Sequence, residues 1–421
     1  MLGTRGFPDV QGGVEIHCQN LYHVLAKLGC EIVVFTRRPY VNSNIKEYKG
    51  VKLISLPIIR HKSIEAFLHT LIGVFAALRY SPDILHIHGI GPSLFAPLAR
   101  IFGMKVVMTS HGSNYKHLKW GRFAKLILRF GELIGVFYAS EVIAISQNIA
   151  DEIKKNYNRV VAVIPNGVTI PSILKTDNIL KKYSLERGKY VLAVGRFVPE
   201  KGFHDLIDAF NQIQNPNSLI QISTSNLEPR TSELQTPNSE FVTHHRPLTT
   251  DNCPLSTDYW KLVIVGRADH EDRYSLGLKE KARKNSNVIL TGFLTGEPLH
   301  ELYSYAGLFA LPSYYEGLPI VLLEAMSYGL SCIASDIPAN RNVELSEDRF
   351  FKAGDVKALA IKIKEFIDKP LSEEDRKRQI RIISERYDWE KIAEKTLQIY
   401  SKLLTKKKGS SVKSMGKLRF R

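Results

Sequence analysis

Short apolar runs rich in β-branched residues alternate with longer amphipathic stretches along most of this chain. Residues 31–36, 51–56, 84–88, 105–110, 141–146 and 159–164 read as buried strands. The same pattern resumes after Pro171, with strands at 190–195, 261–266, 288–291, 307–311 and 331–335. Helical stretches separate many of them, notably at 13–28, 203–213 and 298–306, and from Pro319 to a C-cap at Gly329. Repeated strand–helix alternation predicts an α/β protein whose parallel sheets carry their binding loops at the C-terminal strand ends. Two such series predict two Rossmann-like, doubly wound domains.

Some stretches depart from this rhythm. Met1-Leu2-Gly3-Thr4-Arg5-Gly6 resembles the end of a first strand and its loop, so that strand is expected to be truncated. The span 64–78 is apolar but interrupted by Glu65 and His69, and it reads as a buried helix rather than a membrane span. Residues 116–137 interleave Lys116, Lys119, Arg122, Lys125 and Arg129 with Trp120, Phe123, Leu126, Ile127 and Phe130. That stretch serves equally as a surface helix packed on a sheet and as a basic helix lying on a membrane. Residues 223–258, rich in Ser, Thr, Pro and Asn, are expected to be a disordered insertion. The basic tail 405–421 is also expected to be disordered, with contact to anionic lipid open to it.

A length of 421 residues suits two domains. The net charge of +16 admits nucleic acid, anionic membranes or anionic small substrates as partners. No known nucleic-acid motif accompanies the charge, which favours the last two. The four cysteines are scattered, with no C-x2-C spacing, which argues against a disulfide framework or zinc site and fits a reducing cytoplasm. The opening residues do not read as a signal peptide.

Chemistry concentrates at strand ends. Gly12-Gly13 before a helix lets a ligand approach the backbone closely, although an ordinary glycine turn fits as well. His86, His88 and His111 end two strands; each could simply be a satisfied loop or core histidine. Gly89-Ile90-Gly91 lacks the third glycine and the acidic residue of a dinucleotide fingerprint. Arg196 and Lys201, five residues apart before a helix, are placed to neutralise a diphosphate, with a solvated loop as the plainer alternative. Glu316 lies in a loop, and Glu324 sits within an apolar helical run, where a carboxylate is costly unless something bonds to it. Gly317, Leu318 and Pro319 lead into that helix, whose N-terminal N–H groups favour phosphate. The two glutamates either cap and pair structurally or accept hydrogen bonds from a polyhydroxyl ligand.

The string from Leu311 to Gly329 closely resembles the E-x7-E signature of the retaining GT-B glycosyltransferases of family 4, and Gly195-Arg196-x4-Lys201-Gly202 with its flanks resembles the pyrophosphate motif of that family. The resemblance covers nearly everything except the insertion and the tail. It implies a GT-B fold whose two domains face a central cleft, with the nucleotide-sugar donor on residues 171–386, the acceptor on residues 1–170, and a last helix, 387–404, crossing back. It implies that Glu316 holds the donor sugar, Glu324 the ribose, His111 the sugar, and Gly12-Gly13 the donor phosphate and sugar. It further implies front-face transfer with retained configuration, to a glycan or lipid-linked acceptor. The N-terminal sequence also resembles bacterial transferases of cell-surface polysaccharide assembly, which act in the cytoplasm and at the inner face of its membrane. No D-x-D motif is present, so no metal or other cofactor is expected and the cations replace it. Two alternatives stand beside this reading: a nucleotide-sugar epimerase of the same architecture, and a non-catalytic nucleotide-sugar or lipid-binding protein.

Overall fold

The computed structural model describes residues 1–59, 64–112, 115, 121–214, 260–367 and 369–405. The expected insertion at 223–258, and all of the expected tail beyond Thr405, lie outside them.

Apolar runs of four to six residues form most of the strands. In the first domain these are β1 (Ile32–Arg37), β2 (Glu47–Tyr48), β3 (Val51–Leu56), β4 (Ile84–His88), β5 (Lys105–Ser110), β6 (Glu141–Ala144) and β7 (Ala162–Val163). β1 pairs with β3 in parallel, and β4 to β7 form a parallel series. Met1 and Leu2 bridge the two sets. Phe35 N–H donates to Met1 O at 3.1 Å, and Leu2 exchanges backbone bonds with His86 and His88 at 2.9 Å. These two residues fill the first-strand position expected of this stretch, with Leu2 fully buried.

The second domain has one six-stranded parallel sheet. Its strands are β8 (Tyr190–Val194), β9 (Lys261–Val265), β10 (Val288–Gly292), β11 (Leu308–Leu311), β12 (Cys332–Ser335) and β13 (Phe350–Phe351), in the order β10-β9-β8-β11-β12-β13. Burial of both faces explains why these strands read as continuous apolar runs rather than alternating ones.

The helix Trp389–Thr405 leaves this domain and packs on the helix Gly13–Lys27 of the first. Trp389, Ile392, Ala393, Tyr400 and Leu403 share one core with Met1, Phe7, Cys18 and Leu21. An aromatic of the size of Trp389 buries roughly 200 Å², worth about 5 kcal/mol at 25 cal/mol per Å². Further bonds cross the cleft: Asn166 Nδ2 donates to Leu318 O at 3.2 Å, and Asn148 Nδ2 to Pro338 O at 2.7 Å.

One expectation about helices changes. The stretch read as a buried helix is the half-exposed helix Glu65–Leu78, which buries Glu65, His69, Thr70, Gly73, Val74 and Ala77 but leaves Phe67 41% and Phe75 50% exposed. A uniformly apolar run carries no periodic signal for which side faces water. The basic helix is described over Arg122–Tyr138; Lys116, Lys119 and Trp120 lie outside the described residues. It buries Gly131, Glu132, Gly135 and Val136, and exposes Phe123, Leu126 and Phe130.

Candidate active site

Strand ends from both domains converge on a cavity of about 200 Å³. Ten residues singled out in the sequence line it: Gly12, Gly13, His111, Arg196, Lys201, Glu316, Gly317, Leu318, Pro319 and Glu324; His86 and His88 do not. Arg196 follows β8, and Lys201 ends the short turn Pro199–Lys201 that leads into the helix Phe203–Gln214. β11 delivers the loop carrying Glu316, and the helix Ile320–Ser327 then carries Glu324. Pro319 caps this helix in an extended conformation, one residue before the first-turn position expected for it. Gly317 is required by close approach: a Cβ there would lie 2.3 Å from His111 O across the cleft.

Both cations are held by carboxylates. Lys201 Nζ donates to Glu316 Oε1 at 2.5 Å, and Ser313 Oγ donates to the same oxygen at 2.7 Å. Arg196 Nη1 donates to Asp269 Oδ2 at 2.9 Å. Glu324 is half-buried at the cavity; Tyr303 Oη donates to its Oε2 at 3.1 Å, and burial raises its pKa to about 7. The glutamate in the apolar run is therefore about half ionised near neutral pH, and its charge can respond to a ligand.

The histidines behave differently from one another. His86 is internal, contacting Tyr400 Oη through Nδ1 at 2.5 Å and Thr109 Oγ1 through Nε2 at 2.7 Å. His88 contacts Tyr22 Oη through Nε2 at 2.6 Å and His111 Nε2 through Nδ1 at 3.0 Å. Of these three, His111 alone lines the cavity, and burial lowers its pKa to about 3, so it meets a ligand as a neutral imidazole. His17 joins His88 and His111 in a trio, the first two buried, with one nitrogen from each lying within 4.8 Å of the others. Such a cluster has metal-ligand chemistry that spacing in the sequence did not reveal, because its members come from a helix and two strand ends. The His88–His111 contact already pairs two of its nitrogens.

Other lining residues escaped the sequence reading. Phe293 and Leu294 lie just beyond β10, and Asp269, beyond the end of β9, stands behind the lining and bonds Arg196. Asn166 holds the Leu318 carbonyl, and Gln11 Oε1 accepts from Arg267 N–H at 3.3 Å. Their signal was position alone, at the C-terminal ends of strands.

The cleft thus brings cations, carboxylates and a neutral imidazole together. Comparison with known proteins places the chain in a family. Residues 11–170 match the model for Glycosyltransferase Family 4, and residues 249–402 match that for Glycosyl transferases group 1. An uncharacterized glycosyltransferase of Methanocaldococcus jannaschii is 24% identical over 93% of this chain and 95% of its own length. A UDP-Gal:alpha-D-GlcNAc-diphosphoundecaprenol alpha-1,3-galactosyltransferase of Escherichia coli is 26% identical over 69% of this chain and 68% of its own. Among solved structures, sucrose-phosphate synthase of Thermosynechococcus elongatus aligns with a TM-score of 0.72 at 20% identity, over 95% of this chain and 96% of the other. Anabaena HepE in complex with UDP-glucose aligns with a TM-score of 0.70 at 17% identity, over 95% and 98%. With one glycosyltransferase model matched on each side of a cleft between two parallel-sheet domains, this chain is a glycosyltransferase of GT-B fold.

Proposed function

We propose that this protein is a retaining glycosyltransferase that moves a sugar from a nucleoside-diphosphate sugar to a glycan or lipid-linked acceptor in cell-surface polysaccharide assembly. The observation that carries the donor class is the convergence of Arg196, Lys201, Glu316, Glu324 and His111 on one cavity. Arg196 and Lys201 stabilise the charge developing on the departing diphosphate, assisted by the N-terminal N–H groups of the helix Ile320–Ser327. Glu316 positions the sugar, Glu324 takes the ribose hydroxyls, and neutral His111 hydrogen-bonds the sugar. The Gly12-Gly13 loop closes over the phosphates. Attack comes from the front face, and a leaving phosphate oxygen takes the acceptor proton. The E. coli relative, whose name describes a lipid-linked acceptor, supports the acceptor class.

A binding screen of UDP-, GDP- and other nucleotide sugars, followed by transfer to lipid-linked sugars in the presence of EDTA, tests this reading. Binding, followed by transfer with retained configuration that survives EDTA, is the expected result. Isomerised sugar without acceptor would show an epimerase instead, and donor binding with neither transfer nor isomerisation a binding protein. Loss of transfer on chelation, restored by a divalent cation, would move attention to the His17, His88 and His111 trio.

The exposed Phe123, Leu126 and Phe130, with Arg122, Lys125 and Arg129 on the same helix, support contact with an anionic membrane. No described helix is long and apolar enough to cross a membrane. Phe123→Ser with Phe130→Ser is expected to reduce co-sedimentation with phosphatidylglycerol vesicles severalfold. Unchanged sedimentation would remove this face from the reading.

A further inference from the structure

The opening motif Gly3-Thr4-Arg5-Gly6 supplies a guanidinium that transfer chemistry does not itself demand. Arg5 is 9% exposed and clamped from several sides. Its Nε donates to Glu15 Oε1 at 3.1 Å, its backbone N–H donates to the same oxygen at 3.2 Å, and its Nη2 donates to the Gln11 carbonyl. Gly12 lies directly over this clamp at φ +149°; a Cβ there would lie 2.1 Å from Glu15 Oε2 and 2.7 Å from Arg5 Nη2. The clamp therefore belongs to the glycine loop itself.

The remaining end of Arg5 crosses the cleft. Its Nη1 donates to Asp269 Oδ1, across 264 residues of sequence. The other oxygen of that carboxylate accepts from Arg196 Nη1 at 2.9 Å. One carboxylate thus joins a buried arginine of the first domain to a partly exposed arginine of the second. Arg196 is a long side chain, 28% exposed, and its several rotatable bonds must be immobilised before it can grip a ligand. Asp269 occupies only Nη1 in this bond, which leaves the planar guanidinium other N–H groups to offer an anion.

We propose that Arg5 and Asp269 form a cross-cleft latch that holds Arg196 in its diphosphate-binding orientation when the two domains meet. The latch rests on the reading of Arg196 as a diphosphate ligand. Arg5 and Asp269 are positioning residues in it, because they act through Arg196. Closure and phosphate capture become one event: the bond between Arg5 and Asp269 exists only while the glycine loop lies against the end of β9.

Calorimetry of the full chain with inorganic pyrophosphate, UDP and GDP tests the latch. Asp269→Asn keeps the shape and removes the charge that joins the two arginines. It is expected to weaken binding of the preferred ligand about tenfold. Arg196→Ala is expected to weaken it further, and the double variant to bind no more weakly than Arg196→Ala alone. A merely structural role for Asp269 would not vanish in the Arg196→Ala background. Arg5→Lys should retain more affinity than Arg5→Gln at matched melting temperatures. The latch is overturned if Asp269→Asn binds like the parent, or if its effect persists in full without Arg196. A parent that binds none of the three probes overturns the diphosphate reading itself, and the latch with it.

Discussion

Lys201→Ala and Arg196→Ala are expected to give the largest losses of transfer, with Lys201→Ala the larger of the two. Each removes a charge aimed at the leaving diphosphate, and losing one preorganised stabiliser commonly costs about 2.7–4 kcal/mol, or 10²- to 10³-fold in kcat. Their surroundings separate them. Arg196 leaves behind Asp269, which still has Arg5 as a partner. Lys201 leaves behind Glu316, whose Oε1 it contacts at 2.5 Å and which then keeps the Ser313 hydroxyl on that oxygen. A poorly solvated carboxylate deprived of its cation is destabilised, and it is the group proposed to orient the sugar. Lys201→Ala should therefore slow the rate and disturb sugar placement together. Steady-state kinetics with melting temperatures as control decides the matter. Parent-like turnover in both variants would refute the phosphate assignment.

Glu324→Gln and Glu316→Gln should split along different kinetic axes. Glu324 stands on the helix Ile320–Ser327, about 6 Å along the axis from its first residue, whereas Glu316 precedes the helix in the loop. A nucleotide sugar is long enough to reach both, with its ribose at one and its hexose at the other. Ribose contacts are the same in the ground and transition states, so Glu324→Gln should raise KM for the donor about tenfold and change kcat little. Sugar orientation matters most as the anomeric bond breaks, so Glu316→Gln should lower kcat instead.

Burial adds a pH signature to Glu324. Its pKa is raised to about 7, so the folded protein binds a proton there that the unfolded chain releases near 4.5. That group's contribution to stability is complete at low pH and declines as pH rises from about 4.5 towards 7. Donor hydroxyls donate best to the ionised form, so donor affinity should increase as pH rises through about 7. The amide in Glu324→Gln cannot titrate, and its affinity should be flat across that range. A parent profile that is equally flat, or a Glu324→Gln variant with unchanged KM, would remove Glu324 from the ribose site.

Local pattern was sufficient for much of this molecule. Every strand of the second domain except β13 was legible as a short, mainly apolar run, because both faces of a parallel sheet are buried and the run needs no alternation. Short motifs also disclosed the residues at the cavity, since Gly12-Gly13, Arg196 with Lys201, and Glu316 with Glu324 all follow strand ends. Their spacing is set by the turn that links each strand to its helix.

What those residues touch was decided only by tertiary structure. Asp269 gave no local sign of joining Arg5 to Arg196, because its partners lie 264 and 73 residues away. His17, His88 and His111 meet because a helix and two parallel strands happen to aim their ends at one point. The apolar run at 64–78 offered no clue to which side would face water, and packing against the sheet settled it. Glu324 likewise acquired its raised pKa from the surfaces that close around it rather than from its neighbours in the chain. Periodicities of two and 3.6 residues report the direction of a side chain relative to its own backbone. Which charges share a carboxylate, and which carboxylate loses its water, depends on where separate elements end relative to one another.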